Sequence, residues 1–577
     1  MWKLRRFLKD YKKQVIVGPI FKWLEAVLEL IVPLVMAKII DVGVKNSDKG
    51  YVFRMGGLLL LIAAVSLGCA LICQYSASIA SQGVGTNLRR EIYAKINRFS
   101  HAELDRFGTH SLITRLTNDV NQLQLAVAML IRLVVRAPFL AVGAVVMAFT
   151  IDVKLSLIFL VVFPLIVGVL YFIMSRSVPF FRVMQKKLDK ISLITRENLE
   201  GARVIRAFSK QNAELSRFTE ASDDLANTSV RVGRLSALLN PLTYVIMNLG
   251  IVAILWFGGH RVDSGRLTQG EIIAFVNYMT QILQALIVVA DMVIIFTKAS
   301  ASAARVSEIL ETEPSVKDTA AGEISPLSGA PALEFDQASF AYAGAEEPSL
   351  SGISLTLNPG ETLGVIGGTG AGKSTFVSLI PRFYDTTAGS VKVFGRDVKE
   401  YPLPQLRRLV GMVPQKAAVI SGTIGENLRW ADPSATDDDL WAALETAQAK
   451  PFVEALPQKL DTRVEQGGKN FSGGQKQRLT IARALAGKPS ILILDDSASA
   501  LDFATDAALR KALREDTKEM TVVMVSQRAS SIRHADRILV LDDGAMAGLG
   551  THQELFDNCP VYREICLSQL SAEEAAK

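Results

Sequence analysis

The chain has 577 residues and a formal net charge of +6, with 49% hydrophobic and 21% charged residues. This length exceeds that of one domain, and long apolar runs occur only before about residue 300, so we expect a membrane half followed by a soluble half. The small positive charge fits basic loops beside a membrane, so we expect no nucleic-acid partner. The four cysteines form no CxxC pair, which argues against a zinc site or a disulfide scaffold.

The first half contains six segments with the length and apolarity of membrane spans, which need about 20 residues each. Six spans place both ends of this half on one side of the membrane. Basic residues cluster on that side, at the N-terminus, at Arg89 and Arg90, and at Lys186 and Lys187. Because such residues favour cytoplasmic loops, we predict a multi-pass protein of the inner or cytoplasmic membrane, with a cytoplasmic N-terminus and soluble half. The predicted spans are 15–42, 56–76, 128–150, 155–175, 235–258 and 272–297.

Two long connections between the spans, 77–127 and 176–234, carry helical apolar spacing without Gly or Pro clusters. We therefore expect the spans to continue as helices beyond the bilayer. Within these connections, the segments 103–115 and 199–210 each contain a glycine at which we expect the chain to change direction.

Three ionisable residues lie inside predicted spans: Arg132, Arg136 and Asp291. Charges inside a membrane are costly and point to function. These residues either form a structural ion pair or line a substrate pathway, and the sequence favours neither reading.

A segment rich in Pro, Gly and Ala separates the two halves. It has no apolar period, which is typical of a linker. We therefore divide the chain into a six-helix transmembrane domain (1–311), a linker (312–332) and an α/β domain (333–577).

The α/β domain begins with the strongest motif of the chain, GGTGAGKST, between a strand-like and a helix-like run. It fits the P-loop pattern, in which backbone N–H groups surround the phosphates of a nucleotide. Lys373 is expected to reach the β- and γ-phosphates, and the Ser374 hydroxyl to bind Mg²⁺. The predicted ATP-binding residues of this loop are Gly367, Gly368, Thr369, Gly370, Ala371, Gly372, Lys373, Ser374 and Thr375.

Two further motifs belong to the same chemistry. Asp495 ends an apolar strand, as the Mg²⁺-binding aspartate of a Walker-B motif does. The sequence FSGGQ places a serine and two glycines at a helix start, where N–H groups and a positive dipole end bind anions. This second anion cradle fits closure over a nucleotide held by another domain. Its residues are Ser472, Gly473, Gly474 and Gln475.

With these motifs in order, the chain resembles the ABC transporter superfamily across nearly its whole length. FSGGQ is similar to the ABC signature, Tyr342 to the aromatic residue that stacks on adenine, and Gln415 to the Q-loop glutamine, which also contacts Mg²⁺. The segment 499–502 is similar to the D-loop. The first half resembles the six-helix exporter type, which implies that segments near 109–115 and 199–210 contact nucleotide-binding domains, the second in the partner subunit.

Two residues depart from the family pattern. Asp496 stands where the family has its catalytic glutamate, and Gln527 stands where it has a switch histidine. Aspartate is one methylene shorter than glutamate, and an amide cannot carry the positive charge of a histidine. Either change alone is compatible with hydrolysis, but both together favour a site that binds ATP and hydrolyses it slowly. The chain therefore resembles the degenerate-site half of heterodimeric multidrug exporters.

We therefore expect ATP-driven export of a hydrophobic or amphipathic compound, a drug or a lipid, by this chain and a second ABC half transporter. ATP and Mg²⁺ are the implied cofactors. Hydrolysis would occur mainly at the partner's Walker motifs, completed by this chain's signature. Two alternatives stay open: a homodimeric exporter with weak hydrolysis, and an ATP-gated channel or regulatory membrane protein.

Overall fold

The structure is a computed structural model that describes residues 2–318, 322–497 and 501–569. The first 311 residues are almost entirely helical. A 3₁₀ stretch, Trp2–Tyr11, begins the chain, and two π-helical turns, Ile39–Val44 and Arg115–Asp119, interrupt the α-helices. These helices are α1 (Lys12–Lys38), α2 (Lys49–Ile96), α3 (His101–Phe107), α4 (Thr109–Thr114), α5 (Val120–Arg132), α6 (Arg136–Ile151), α7 (Val153–Glu200), α8 (Ala202–Ala207), α9 (Gln211–Ala237), α10 (Leu239–Asp263) and α11 (Gln269–Glu311).

Among the described residues, five helical stretches are long and apolar enough to cross a membrane: Lys49–Ile96, Thr109–Ile151, Val153–Glu200, Gln211–Asp263 and Gln269–Glu311. They contain five of the six predicted spans. The first predicted span, 15–42, is helical over α1, but Lys22, Glu25 and Glu29 interrupt the apolar sequence of that helix. Its crossing of the membrane stays a prediction.

The predicted continuation of the spans as helices is confirmed. Helices α2 and α7 each have 48 residues. At about 1.5 Å per residue, such a helix is roughly 70 Å long, more than twice the thickness of the bilayer core. Helix α9 packs along α7, and Lys187 forms a 2.6 Å ion pair with Asp224 there.

The chain forms two compact units. The first, the helical unit, contains Met1–Lys95 and His110–Thr312; the second, the α/β unit, contains Ile96–Thr109 and Glu313–Lys577. The short helix α3 therefore belongs to the α/β unit, although helices of the other unit precede and follow it in the chain.

This finding corrects the expected position of the first segment that contacts a nucleotide-binding domain. The sequence interpretation placed the contacting segment near 109–115, but it is α3 that packs in the α/β unit, and α4 lies in the helical unit. Gly108 separates the two helices with a φ of +70°, a conformation that costs glycine little.

The α/β unit contains two main sheets. An antiparallel sheet has the order β2-β1-β4-β5, and a larger sheet has the order β12-β11-β3-β10-β9-β6, in which only β12 is antiparallel. The strands are β1 (Leu333–Phe340), β2 (Leu350–Leu357), β3 (Thr362–Gly367), β4 (Ala388–Val393), β5 (Arg396–Asp397), β6 (Val410–Val413), β7 (Gly422–Thr423), β8 (Arg463–Val464), β9 (Ile491–Asp495), β10 (Thr521–Val525), β11 (Arg537–Asp542) and β12 (Ala545–Gly550).

The larger sheet is buried on both faces, as its nearly continuous apolar strands require. Strand β9, for example, is buried at every position. The helices of the α/β unit that follow α11 are α12 (Lys373–Leu379), α13 (Leu403–Leu409), α14 (Ile424–Leu428), α15 (Asp437–Thr446), α16 (Lys450–Glu454), α17 (Gly473–Ala486), α18 (Phe503–Asp516), α19 (Ala529–Ile532), α20 (His552–Asn558) and α21 (Pro560–Gln569).

Candidate functional site

The order of the parallel strands explains why distant motifs meet. Strands β3, β10, β9 and β6 are adjacent, so the loops that follow them leave the sheet at the same edge. The P-loop follows β3, Gln527 follows β10, Asp496 follows β9, and Gln415 follows β6. Four segments that are up to 160 residues apart in sequence thus surround one pocket.

This pocket has a volume of about 210 Å³. Nine of the sequence-predicted site residues line it, together with Val525, which the sequence did not indicate. The lining residues are Thr369, Gly370, Gly372, Lys373, Ser374, Gln415, Asp495, Asp496, Val525 and Gln527.

The P-loop turns sharply at Gly372, the residue before α12. Its φ is +93°, and a Cβ atom at this position would lie 2.6 Å from the carbonyl oxygen of Ser349. Any other residue would be strained and would clash with backbone. The glycine therefore lets the P-loop lie close to the backbone of Ser349 directly before α12 begins at Lys373.

Lys373 lies across the P-loop. Its Nζ donates hydrogen bonds to the carbonyl oxygens of Gly367 and Gly368, at 2.9 and 2.6 Å. Burial lowers the pKa of Lys373 below its usual value, and the carboxylates of Asp495 and Asp496 oppose this shift. The ammonium group is thus held in a partly desolvated position, where its attraction for phosphate is strengthened.

Asp495 and Ser374 form the part of the pocket that suits a metal ion. The Ser374 hydroxyl donates a 3.2 Å hydrogen bond to Asp495 Oδ1. Burial raises the pKa of the Asp495 carboxyl, Asp496 adds to the rise, and the Ser374 hydrogen bond opposes it. A hydroxyl and a carboxylate oxygen side by side are donors that Mg²⁺ prefers. These residues therefore fit the predicted metal site.

Asp496 is the most constrained residue of the pocket. It is 8% exposed, and one carboxylate oxygen, Oδ2, accepts hydrogen bonds from the side-chain amides of both Gln415 and Gln527, each at 3.2 Å. Its φ is +44°, in the left-handed region that aspartate tolerates better than most residues, and its backbone N–H donates to the carbonyl of Val525 at 3.0 Å. The two residues that depart from the family pattern are thus in direct contact.

Tyr342 lies outside this pocket but contacts the P-loop. Its hydroxyl is 3.1 Å from the Thr375 hydroxyl, and its side chain is 39% exposed. Its ring meets Phe340 and Tyr384 edge to face, with centroids 4.8 and 5.4 Å apart. An exposed aromatic face held by two other rings is suited to stacking on a base.

The signature residues do not line the pocket of their own chain. Ser472 caps α17: its hydroxyl accepts from the Gln475 N–H at 3.3 Å, and Gln475 Oε1 accepts from the Ser472 N–H at 2.9 Å. Ser472 and Gly473 are exposed, and Gly474 and Gln475 are partly buried. Of the predicted D-loop, Ser499 and Ala500 lie outside the described residues, while the side chain of Asp502 caps α18.

The three membrane candidates do not form one cluster of contacts. Arg136 pairs with Glu29 of α1 at 2.8 Å, a partner that the sequence did not single out. Asp291 is exposed on α11, and Arg132 is partly buried at the end of α5. Of the two readings, the structural ion pair is therefore found for Arg136, but its partner is Glu29 and not Asp291.

Sequence reasoning also missed how α3 is held in the α/β unit. Glu103 is buried, and its carboxylate accepts from the backbone N–H groups of Ser100 and Ser315, at 3.0 and 3.1 Å. The ring of His101 stacks on Phe383 with centroids 4.1 Å apart. The pattern Ser-x-x-Glu at Ser100 is a capping box, a signal that marks the start of a helix.

Comparison with known proteins gives a consistent result. Residues 15–286 match the family described as the ABC transporter transmembrane region, and residues 350–499 match the family described as ABC transporter. An uncharacterized ABC transporter ATP-binding protein of Mycobacterium tuberculosis is 39% identical over 98% of this chain and 97% of its own length. The ATP-dependent lipid A-core flippase of Chromobacterium violaceum is 30% identical over 99% of this chain and 98% of its own.

A solved structure of a bacterial Atm1-family ABC exporter with ATP bound has the same fold, with a TM-score of 0.79 at 23% identity, over 97% of this chain and 99% of that chain. Both halves of the chain are thus matched, and full-length relatives share at least 30% of its residues. This chain belongs to the ABC transporter family, with an exporter's helical membrane region and an ABC ATPase domain in one polypeptide.

Proposed function

We propose that this chain is one half of a heterodimeric exporter of hydrophobic or amphipathic compounds, and that its own pocket holds MgATP but hydrolyses it slowly. The observation that carries the proposal is the double hydrogen bond to Asp496 Oδ2. A general base must accept a proton from the attacking water. Asp496 occupies the position of the family's catalytic glutamate, and one of its carboxylate oxygens already accepts hydrogen bonds from two side-chain amides.

The length of the side chain adds to this effect. The carboxylate of an aspartate lies about 1 Å less far from the backbone than that of a glutamate, and a misplacement of this size can lower a rate by about 10²-fold. Gln527 donates an amide hydrogen to Asp496 and supplies no positive charge beside the γ-phosphate. Bound ATP therefore serves mainly to hold two domains together.

The remaining residues of the pocket retain what is needed for binding. Lys373 lies next to the loop carbonyls and is available for the β- and γ-phosphates, and Ser374 and Asp495 present oxygens for Mg²⁺, which neutralises phosphate charge when bound. Tyr342 offers an aromatic face for adenine. None of these residues departs from the family pattern, so binding is retained where hydrolysis is weakened.

The exposed signature suits a role in a second subunit. Ser472 and Gly473 are exposed at the N-terminal end of a 14-residue helix, which attracts phosphate. In a head-to-tail pair of ATPase domains, this end closes over the partner's ATP, so that each pocket is completed in trans. The hydrolysis that drives export then occurs mainly at the partner's Walker motifs.

We place the chain in the cytoplasmic membrane, with its N-terminus and ATPase domain in the cytoplasm, because basic residues cluster on that side of the predicted topology. The transported compound is a lipid or a drug of similar polarity. The resemblance to a lipid A-core flippase and the apolar character of the five long spans support this class of compound.

Purification in lipid nanodiscs followed by native mass spectrometry tests the proposal. The expected result is a complex of two different subunit masses, whose ATP turnover is nearly unchanged by Asp496→Asn. Chemical cross-linking before purification identifies the second subunit. One subunit mass together with a turnover typical of exporters, abolished by Asp496→Asn, would overturn both the heterodimer and the slow site.

A further inference from the structure

Seven charged side chains lie within the predicted first and third spans, of which Lys38 and Asp41 lie near the end of the first span. The other five are Lys22, Glu25, Glu29, Arg132 and Arg136. Lys22, Glu25 and Glu29 interrupt the apolar sequence of α1, Arg132 ends α5, and Arg136 begins α6. Ionisable groups at such positions are expensive and are retained for a reason. We refer to these five residues as the α1 charge cluster.

Four members of the α1 charge cluster form two ion pairs. Lys22 Nζ is 2.8 Å from both carboxylate oxygens of Glu25, and Arg136 Nη2 is 2.8 Å from Glu29 Oε2. Arg132 has no hydrogen-bond or ion-pair partner among residues 2–318, 322–497 and 501–569. With three cations and two carboxylates, the α1 charge cluster carries one unbalanced positive charge, at Arg132.

The packing of α1 against α5 brings Arg132 to the paired residues. A Cβ atom on Gly18, one turn before Lys22, would lie 2.4 Å from Ile131 Cγ2, so the two helices touch directly beside Arg132. Arg132 is therefore part of the same charged region and is not an isolated surface residue.

An apolar crevice of about 300 Å³ lies between α1 and α6, and its lining residues adjoin the Glu29–Arg136 pair in sequence. Leu30 and Ile31 follow Glu29 on α1, and Phe139 lies one turn beyond Arg136 on α6. Gly143 keeps the helices close, because a Cβ atom there would lie 2.5 Å from Leu30 Cδ1. The crevice is lined almost only by carbon, so it suits a hydrocarbon chain.

We propose that α1, α5 and α6 form a binding site for an amphiphile with an anionic headgroup, in which Arg132 is the countercharge and the crevice holds the apolar tail. This inference rests on the proposed export of amphipathic compounds and narrows their class. A cation would be repelled by the unbalanced charge, and a neutral amphiphile would leave Arg132 without a partner in a region of low dielectric constant, where an unpaired charge is costly. An anionic headgroup would be attracted by the unbalanced charge and would give Arg132 a partner.

Fluorescence titration of the full chain in nanodiscs tests the site with a matched pair of probes: dansylaminoundecanoic acid and its methyl ester. The two probes differ only in the charge of the headgroup. At about pH 8 the acid is ionised. We expect the acid to bind about tenfold more tightly than the ester, as one charge-assisted contact would produce. Equal affinity for the two probes would overturn the inference.

Variants assign the preference to Arg132. Arg132→Gln is expected to remove the preference for the acid and to leave ester binding unchanged, while Arg132→Lys keeps the preference. Arg54→Gln is the matched control, because Arg54 is an exposed arginine of the helical unit that donates a hydrogen bond to the Gly50 carbonyl of its own helix. An unchanged preference in Arg132→Gln, or the same loss in Arg54→Gln, would contradict the assignment.

A second substitution tests the crevice. Val142→Trp places a large side chain in the crevice and is expected to weaken both probes by about tenfold. Val161→Trp, on an exposed position of α7, is the control and should weaken neither. Unchanged binding by Val142→Trp would show that the tail lies elsewhere.

These experiments are separate from those on the proposed function. Subunit masses and ATP turnover report on the heterodimer and the slow site, whereas the acid-to-ester ratio reports on the charge of the ligand. A heterodimer with a slow site and no preference for the acid would refute only the anionic class. A homodimer that prefers the acid would refute only the proposed assembly.

Discussion

The hydroxyl of Tyr384 donates a 2.6 Å hydrogen bond to Asp105 Oδ2 in helix α3, and its ring packs edge to face against Tyr342 with centroids 5.4 Å apart. Tyr342 in turn contacts Thr375 of the P-loop. Burial and the neighbouring Asp105 raise the pKa of Tyr384, so the phenol stays protonated and remains a donor. A continuous path of contacts thus joins the nucleotide pocket to α3, which the chain enters directly from the long helix α2.

The first prediction concerns this hydrogen bond. Tyr384→Phe keeps the ring contacts and removes the donor to Asp105, so we expect helix α3 to be held less firmly, by about 1 kcal/mol. Hydrogen exchange of residues 96–109 should accelerate about fivefold, while ATP binding stays unchanged. Tyr401→Phe is the matched control, since Tyr401 bonds to the Val393 carbonyl at 3.0 Å within the same unit. Equal exchange of 96–109 in both variants would show that the Tyr384 hydroxyl does not hold α3.

The second prediction concerns pH. Loss of hydration against Phe383 lowers the pKa of His101 below its ordinary value of 6.5, Arg407 lowers it further, and Asp105 opposes both. Between the lowered pKa and about pH 6.5, the folded chain therefore binds fewer protons at His101 than the unfolded chain does. The contribution of His101 to stability is fully present above about pH 6.5 and is lost as the pH falls through the lowered pKa.

Hydrogen exchange of residues 96–109 at about pH 7.5 and 5.5, corrected for intrinsic exchange rates, measures this effect. We expect α3 to lose protection at the lower pH in the wild type. His101→Gln cannot be protonated and should remove most of this dependence. A pH dependence of the same size in His101→Gln would assign it to another group.

The nucleotide pocket was largely predictable from sequence, for a physical reason. The P-loop is a contiguous segment, so its nine residues carry the whole structural signal, including the glycine that must adopt a φ of +93° at position 372. Asp495 and Asp496 were recognisable because they end an apolar strand. Gln415 and Gln527 were located by family resemblance, and the strand order β3-β10-β9-β6 explains why they meet Asp496.

Contacts between distant helices were not predictable in this way. Arg136 and Glu29 lie 107 residues apart, and the pattern of neither helix indicates which helix the other packs against. The expectation of a contacting segment near 109–115 follows from the family resemblance, which does not fix where the short helix begins. The capping box at Ser100 and Glu103 is the stronger local signal, and it marks the helix that actually packs in the α/β unit.

The third prediction tests the weakened catalytic position. Asp496→Glu extends the carboxylate by about 1 Å towards the nucleotide, so we expect ATP turnover at this chain's own pocket to rise, by up to about 10²-fold when combined with Gln527→His. In the proposed heterodimer, turnover should be measured with hydrolysis at the second subunit removed by substitution of that subunit's Walker-B carboxylate. Asp495→Asn in the same background is the control and should remain inactive. No rise in the double variant would mean that other residues limit hydrolysis.

The fourth prediction concerns stability of the helical unit. Asp119, in the π-helical turn Arg115–Asp119, is fully buried, and its carboxylate accepts two hydrogen bonds from Arg305, at 2.8 and 2.5 Å, and one from the Ser302 hydroxyl at 2.9 Å. Asp119→Asn removes the carboxylate charge, so that the Arg305 guanidinium loses its charged partner and keeps only neutral acceptors such as the Ser302 hydroxyl. Arg305 is about half exposed, so we expect a loss near 2 kcal/mol, below the full effect of breaking a buried pair.

Asp224→Asn is the matched control for this loss, because Asp224 pairs with Lys187 through an exposed carboxylate, and such pairs contribute about 0–1 kcal/mol. Thermal unfolding in one detergent should therefore separate the two variants, with a clearly lower midpoint for Asp119→Asn only. The same charge is removed in both proteins, so a general effect of net charge would lower both midpoints equally. Equal midpoints would mean that solvent or lipid compensates Arg305 fully, and that the buried carboxylate contributes no more to folding than an exposed one.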